Sequence, residues 1–504
     1  MVIRCSLTRV WPVTVPHAYQ TCAGSSGLAP TGEASAQAKA RDNPEAAKST
    51  HGALRREGVA MSGTLSVLAH APRPPKVWMS WRCPKRVGTT GYHRTGDSPG
   101  RYRQIQESWC ALVRVLIDAS ALPPLRGGVG RYVDELIAHL PKVGVDTAVV
   151  CQPRDVELYS ASVGWRNIII LPAWASSPPQ RLLWEQIDLP RVIHSRRPDI
   201  MHSPHYTMPL VNGGRRGTKQ VVTLHDATFF SDPHLHRAVK ARFFTQWTRF
   251  SCRRADALLV PSQATKDELI RVVHADGDRV KVIPHGVDCR RFRRPSHDEV
   301  RDVRAWLGLP ADAAYIAFLG TLEPRKNVPG LIRAFGVSCS SLAEPPTLVL
   351  AGGAGWDSEI DVALAQLPAH LRVVRPGFVP DSLLPGLLGG AQIVAYPSFG
   401  EGFGLPVLEA MACGATVLTT DRLSLPEVGG DSVAYAKSPG VEDVAAALSQ
   451  LLADPAARAA LGTSAATRAA TFGWLQTARG HRDVYESLMR PTGAPEVDED
   501  RPRT

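Results

Sequence analysis

The stretch S-F-G-E-G-F-G-L-P-V-L-E-A-M-A-C-G-A-T-V-L, residues 398–418, decides how this chain folds. The run 391–397 before it predicts a buried strand ended by proline. Three glycines within 400–404 predict a tight turn, and Pro406 is typical of the first turn of a helix. Residues 415–420 predict the next strand. The stretch therefore predicts a strand, a glycine-rich turn, a short helix and a second strand.

The turn of this unit predicts a site for an anion. Backbone N–H groups at the start of a helix lack partners and carry partial positive charge, so they can hold a phosphate. Glu401 lies in the turn and Glu409 lies inside the helix, so two carboxylates flank the same point. A phosphate-binding site next to two carboxylates suits a ligand that is part phosphate and part polyhydroxyl. We therefore expect a nucleotide-sugar here.

Strands and helices alternate on both sides of this unit. The pattern begins at residues 112–118, restarts at 315–319 after an arginine-rich connector (290–294), and predicts parallel sheets with helices on both faces. We predict an α/β fold of two doubly wound, Rossmann-like domains that face each other across a cleft. The predicted segments are an extension (1–111), an acceptor-side domain (112–290), a nucleotide-sugar domain (291–475), a helix that packs back on the first domain (476–490) and a disordered tail (491–504).

The net charge of +11 does not indicate a nucleic-acid partner. Residues 1–111 hold 15 basic and 6 acidic residues, so 43 basic and 41 acidic residues remain in the rest of the chain. Because a nucleic-acid footprint needs a clustered basic face, we expect no nucleic acid as a partner.

Residues 1–111 lack sustained periodicity and are rich in Gly, Ser, Pro, Ala and Arg. We expect them to be a disordered extension or sequence upstream of the natural start. The nine cysteines show no regular spacing, and no apolar run of 18 residues occurs, so we expect neither a disulfide framework nor a spanning helix. These features predict a cytoplasmic protein.

Two further loops between a strand and a helix are candidates for phosphate binding. The glycines Gly127, Gly128 and Gly130 occur in such a loop, although their spacing is equally consistent with a packing role. Arg325 and Lys326 follow a second predicted strand, where two cations could neutralise a diphosphate leaving group. The alternative is that Arg325 and Lys326 are an ordinary pair of solvated surface cations without a ligand.

Histidines at strand ends give a weaker signal. His225 ends a predicted strand, so we expect it in the cleft. His202 and His205 form an H-x-x-H pattern, but no third ligand is spaced to complete a metal site, and we predict no metal. The helix over 237–254 is basic and aromatic; core packing of Val239, Phe243 and Phe250 is favoured over contact with anionic lipid.

The order of these motifs resembles the retaining glycosyltransferases of family 4, the group 1 enzymes with the two-domain GT-B fold. The resemblance covers roughly 113–490, and its most specific part is the E-x7-E element from Glu401 to Glu409. Supporting matches are G-G-V-G (127–130), V-P-S (260–262), H-G-V-D (285–288), G-T-L-E-P-R-K-N (320–327), A-G-G (351–353) and L-P-E-V-G-G (425–430).

The resemblance implies roles for individual residues. It implies that Glu401 contacts the donor sugar and supports the oxocarbenium charge, that Glu409 holds the ribose, and that Lys326 with Arg325 binds the diphosphate. One departure is Thr321, which stands where many members carry an arginine. The implied catalytic residues are Glu401, His225, Lys326 and Arg325, and the implied donor-binding residues are Gly127, Gly128, Gly130, Gly320, Thr321, Gly402, Phe403, Gly404, Leu405 and Glu409.

We therefore expect a retaining hexosyltransferase, with a lean towards mannose, that uses a nucleotide-sugar as co-substrate and needs no other cofactor. The expected acceptor is a lipid-linked or polysaccharide precursor glycan of the cell envelope, and the expected membrane association is peripheral. The alternatives are a nucleotide-sugar epimerase or hydrolase of the same fold and a non-catalytic, membrane-associated sugar-nucleotide-binding module.

Overall fold

Two parallel β-sheets organise the chain, whose computed structural model describes residues 112–212 and 217–490. The strands of the described first sheet are β1 (Arg114–Asp118), β2 (Asp146–Cys151), β3 (Ile168–Ile170), β4 (Ile200–Ser203), β5 (Lys219–Thr223), β6 (Ala257–Val260) and β7 (Val280–Val282), in the spatial order 3-2-1-4-5-6-7. Its helices are α1 (Gly128–His139), α2 (Val156–Val163), α3 (Pro178–Ile187), α4 (Leu189–Arg196), α5 (Thr228–Ser231), α6 (Ala238–Arg254) and α7 (Gln263–Val273). We call this unit the first domain.

The second domain follows the connector and repeats the plan. Its described strands are β8 (Tyr315–Leu319), β9 (Thr347–Ala351), β10 (Val373–Gly377), β11 (Ile393–Tyr396), β12 (Val417–Thr420) and β13 (Ala434–Ala436), in the order 10-9-8-11-12-13. Its helices are α8 (His297–Trp306), α9 (Val328–Cys339), α10 (Glu359–Ala365), α11 (Leu384–Gly389), α12 (Leu405–Ala412), α13 (Leu425–Gly429), α14 (Val441–Ala453), α15 (Pro455–Ala469) and α16 (Trp474–Met489). The predicted pair of doubly wound α/β domains is confirmed.

Two separate helices, α3 and α4, follow each other closely in the first domain, because Pro190 lies in the first turn of α4 and cannot donate to the preceding turn. The expectation that Val239 and Phe243 pack in the core is wrong, since they are 86% and 36% exposed. The buried face of α6 is formed by small residues instead, and Phe250 packs half-buried against the core together with Phe244.

The last helix, α16, packs against α1 of the first domain. Tyr485 and His481 of α16 hydrogen-bond to His202 and Tyr132, each over 2.8 Å. The segment just before the connector packs closely on the start of the same helix, because a Cβ on Gly286 would lie 2.4 Å from the backbone nitrogen of Trp474. After the second sheet is complete, the chain therefore returns to the first domain through α16.

The expected extension (1–111) and tail (491–504) lie outside the described residues. None of the helices between 112 and 490 that the structure describes has the length and apolar composition needed to cross a membrane.

Candidate active site between the two domains

A cavity of about 570 Å³ lies between the two domains, at the carboxyl ends of the parallel strands. Ligands of doubly wound sheets bind at this edge. Residues from both domains line it. The predicted residues among them are Gly127, Gly128, His225, Gly320, Thr321, Arg325, Lys326, Glu401, Gly402, Phe403, Gly404, Leu405 and Glu409.

Gly130 is not among the residues that line this cavity. It lies in the first turn of α1, and a Cβ there would be 2.8 Å from the Cδ of Arg126. Arg126 passes over this glycine to reach Asp134 and Asp155, at 3.0 and 2.7 Å. These contacts favour a packing role for Gly130 over a role in phosphate binding.

A buried ion-pair cluster forms the floor of the cavity in the second domain. Glu401 follows β11, and Arg325 and Lys326 lie in the turn between β8 and α9. The Glu401 carboxylate pairs with Arg325 Nη1 at 2.7 Å and with Lys326 Nζ. Ser398 Oγ also donates to it, over 2.9 Å. Both oxygens of Glu401 are therefore held by the two cations.

The electrostatics of this cluster fix the charge on Glu401. Burial by itself would raise the pKa of this carboxyl, but Arg325 and then Lys326 outweigh burial and hold the pKa at about 2. Burial, together with the repulsion from Arg325, lowers the pKa of Lys326. Glu401 is therefore ionised at neutral pH, which is unlike the protonated carboxyl that a glycoside hydrolase uses as general acid.

The glycine-rich turn brings the domains into contact. Gly404 begins α12 with φ +101°, a conformation that favours glycine. A Cβ on Gly402 would lie 1.7 Å from the carbonyl oxygen of His225, in the opposite domain. The carbonyl of Gly402 accepts from Ser262 Oγ at 2.8 Å and Thr265 Oγ1 at 3.1 Å. The turn can approach the first domain this closely only because position 402 has no side chain.

A second contact between the domains involves the start of α7. The carboxylate of Glu427 accepts from the backbone N–H groups of Gln263, at 2.8 Å, and Ala264, at 2.7 Å. An acidic side chain at a helix N-terminus satisfies unpaired donors and meets the positive end of the helix dipole. The second domain therefore adds to the capping of a first-domain helix, whose N-cap Ser262 already accepts from the Thr265 N–H over 3.1 Å.

Glu409 lies in α12 and is 1% exposed. Its Oε1 pairs with Arg131 Nη1 of α1, across the cleft. Its Oε2 is buried and has no hydrogen-bond partner among the described residues. Arg131 was missed in the sequence analysis, although its position directly after the G-G-V-G loop is a signal that could have identified it.

His225 lines the cavity between the domains, where the sequence predicted it. Its Nε2 lies 2.8 Å from the carbonyl oxygen of Pro204 and must therefore donate, which leaves Nδ1 as the acceptor in the neutral ring. Burial lowers the pKa of this imidazole, so the ring is neutral at neutral pH.

Beneath His225, the H-x-x-H pattern serves structure. His202 uses both ring nitrogens, since Nε2 contacts Thr223 Oγ1 and Nδ1 contacts the Tyr485 hydroxyl, both at 2.8 Å. Burial lowers the pKa of His202 well below its usual value. Within the described residues, no group of three or more His, Cys, Asp or Glu side chains is arranged to hold a metal ion.

Two doubly wound domains with a cleft that presents cations, a helix start and buried carboxylates define the glycosyltransferase class. Residues 126–291 match the family described as Glycosyltransferase Family 4, and residues 300–468 match Glycosyl transferases group 1. The chain belongs to the family 4, group 1 glycosyltransferases, as the motif resemblance predicted.

Curated relatives and solved structures agree with this assignment. The chain is 29% identical to O-antigen chain mannosyltransferase B of Escherichia coli, over 72% of this chain and 96% of that protein. It is 30% identical to a D-inositol 3-phosphate glycosyltransferase of Mycolicibacterium paratuberculosis, over 72% of this chain and 86% of that protein.

Among solved structures, sucrose-phosphate synthase of Thermosynechococcus elongatus superposes with a TM-score of 0.61 at 21% identity, over 75% of this chain and 99% of that one. Alr3699/HepE of Anabaena, in complex with UDP-glucose, superposes with a TM-score of 0.60 at 20% identity, over 74% of this chain and 100% of that one. These likenesses confirm the GT-B fold.

Proposed function

We propose that this enzyme is a cytoplasmic, retaining hexosyltransferase that needs no metal. In this proposal it moves mannose from a nucleoside diphosphate sugar to a hydroxyl of a lipid-linked or polysaccharide precursor glycan. One observation carries the proposal: Glu401, Lys326 and the loop at Gly127–Gly128 line a single cavity between the domains. A cation pair, a helix start and two carboxylates around one cavity match the three parts of a nucleotide-sugar.

The diphosphate would bind to Lys326, Arg325 and the backbone N–H groups at the start of α12. Lys326 and Arg325 now pair with Glu401, and Arg325 also pairs with Glu323 at 2.9 Å. A diphosphate would share these cations, which would stabilise the negative charge that develops as it leaves. Because side chains supply the positive charge, we propose that the reaction proceeds without a divalent ion.

The carboxylates would hold the rings of the donor. Glu401 remains ionised next to two cations and would accept from sugar hydroxyls and face the oxocarbenium charge. The unpartnered Oε2 of Glu409 is an acceptor that a ribose hydroxyl would satisfy. In the reaction, the bond from the anomeric carbon to the phosphate oxygen breaks. The acceptor oxygen bonds on the same face, its proton passes to the leaving diphosphate, and His225 lines the sugar.

The choice of donor and acceptor rests on one relative. The similarity to an O-antigen chain mannosyltransferase supports a mannose donor and a glycan acceptor. Peripheral membrane contact is supported by α6, which exposes Val239 and Phe243 next to the exposed cations Lys240 and Arg242.

The test is an assay of the purified full chain with GDP-mannose, UDP-glucose and ADP-glucose, with and without polyprenyl-linked glycan acceptors. We expect acceptor-dependent release of GDP, an axial (α) linkage in the product by NMR, and unchanged rates in EDTA. Glu401→Ala should abolish product formation, whereas Glu359→Ala, at an exposed position on α10, should retain it. Equal donor turnover without acceptor would favour a hydrolase or epimerase, and an inverted product would overturn the retaining mechanism.

A further inference from the structure

Arg131 lies on the first domain but contacts a carboxylate of the second. Its guanidinium pairs with Glu409 Oε1 and lies 5.4 Å from the centre of the Phe292 ring in the connector. The side chain of Arg131 is 19% exposed and lines the cavity, whereas that of Glu409 is 2% exposed. One cation therefore joins the first domain, the connector and the helix that begins at the glycine-rich turn.

Arg131 is the counter-ion of the buried Glu409 carboxylate. A carboxylate buried to this degree is strongly destabilising without a compensating cation. Burial and the repulsion from Arg291 lower the pKa of Arg131 to about 10, so the guanidinium is still charged at neutral pH. Because Arg131 contacts Oε1, Oε2 is left as the free acceptor of this side chain.

We propose that Arg131 is a positioning residue for nucleotide recognition: it reaches across the cleft and orients Glu409, so that the ribose is fully bound only when the domains meet. This inference rests on the proposed function, because it assigns the free oxygen of Glu409 to a ribose hydroxyl. Donor binding to the second domain is thereby coupled to the approach of the first.

The experiment is calorimetric titration of the full-length protein with UDP, GDP and ADP, and with their 2′,3′-dideoxy forms. The parent should bind one ribonucleotide more tightly than its dideoxy form. Arg131→Met should weaken binding of the ribonucleotide by roughly tenfold or more and of the dideoxy form by less than about twofold. Arg131→Lys, which keeps the charge, should recover most of the preference.

Matched variants separate this role from a structural one. Arg191→Met, at an arginine of α4 whose side chain is 73% exposed, should bind both forms like the parent. In Glu409→Gln the ribose preference should be lost, and adding Arg131→Met to it should cause little further loss. Thermal unfolding without nucleotide reports folding, and Arg131→Gln replaces Arg131→Met if the latter does not fold.

Each outcome bears on one hypothesis. Equal loss for both nucleotide forms, or unchanged or tighter ribonucleotide binding by Arg131→Met, overturns the role of Arg131. A parent that binds ribose and dideoxy forms equally also overturns it and leaves the proposed function standing. A parent that binds none of the three nucleotides overturns the proposed function itself.

Discussion

Replacing Glu401 by glutamine removes one buried charge at nearly constant volume. It leaves Lys326 without its counter-ion and Arg325 with Glu323 alone. The pKa of Glu401 is about 2 in the folded chain, against an ordinary value of 4.5. This difference corresponds to roughly 3 kcal/mol of folding free energy at pH 7. Because the folded pKa is depressed, this stabilisation is present above pH 4.5 and is lost as the pH falls towards 2.

We expect Glu401→Gln to lower the free energy of unfolding by about 3 kcal/mol at pH 7 and by roughly 1 kcal/mol at pH 3, where the parent has already lost much of the contribution. Urea titrations followed by tryptophan fluorescence at pH 7, 5, 4 and 3 measure the difference. The control is Glu359→Gln, whose side chain is 62% exposed and which should differ from the parent by less than about 0.5 kcal/mol throughout.

A difference between parent and Glu401→Gln that stays constant from pH 7 to pH 3 would refute this reasoning. It would mean that the substitution disturbs packing or hydrogen bonds and that the charge of Glu401 contributes no net stability.

Three further predictions concern catalytic activity and membrane binding. Lys326→Met should lower kcat/KM by a factor of roughly 10² because it removes a cation from the leaving diphosphate, and an unchanged value in a donor titration would contradict its role. Gly402→Ala should lower kcat/KM at least about tenfold, since its Cβ would lie 1.7 Å from the carbonyl oxygen of His225. Gly473→Ala, where a Cβ meets no atom within 4 Å, should leave the rate near that of the parent, and equal rates for both variants would speak against domain contact as the cause. Val239→Asp should reduce co-sedimentation with phosphatidylglycerol vesicles without altering turnover of a water-soluble acceptor, and unchanged sedimentation would remove α6 as the membrane contact.

The sequence predicts well what depends on neighbouring residues. The limits of β8 agree with the run 315–319 that predicted it, and the helix after the glycine-rich turn begins next to Pro406. Strand periodicity, turn glycines and a proline in the first helical turn act over a few residues, so a single sequence contains their signal.

The contacts across the cleft could not be predicted in the same way. Arg131 and Glu409 are 278 residues apart in the chain, and nothing local to either one indicates the other. The same holds for the carbonyl of Gly402, which Ser262 and Thr265 reach from the opposite domain. Such pairs depend on how two finished domains meet, and this is decided by packing rather than by local propensity.

The exposed face of α6 shows a different limit. The spacing of its large apolar residues is equally consistent with burial and with exposure, because helical periodicity identifies a face but not what covers it. Small residues such as Ala241 and Ser251 turned out to form the buried side.

The return of α16 to the first domain affects how this enzyme can be divided. Tyr132 donates to His481 Nε2, because the Nδ1–H of His481 is already given to the Thr477 carbonyl, and His202 in turn accepts from Tyr485. A fragment cut at the connector would lack this helix, so the hydroxyl of Tyr132 would keep only Thr223 Oγ1 as a partner and Nδ1 of His202 would lose its partner inside the core. Separate expression of an intact first domain would therefore require a fusion that carries residues 474–489 along with it.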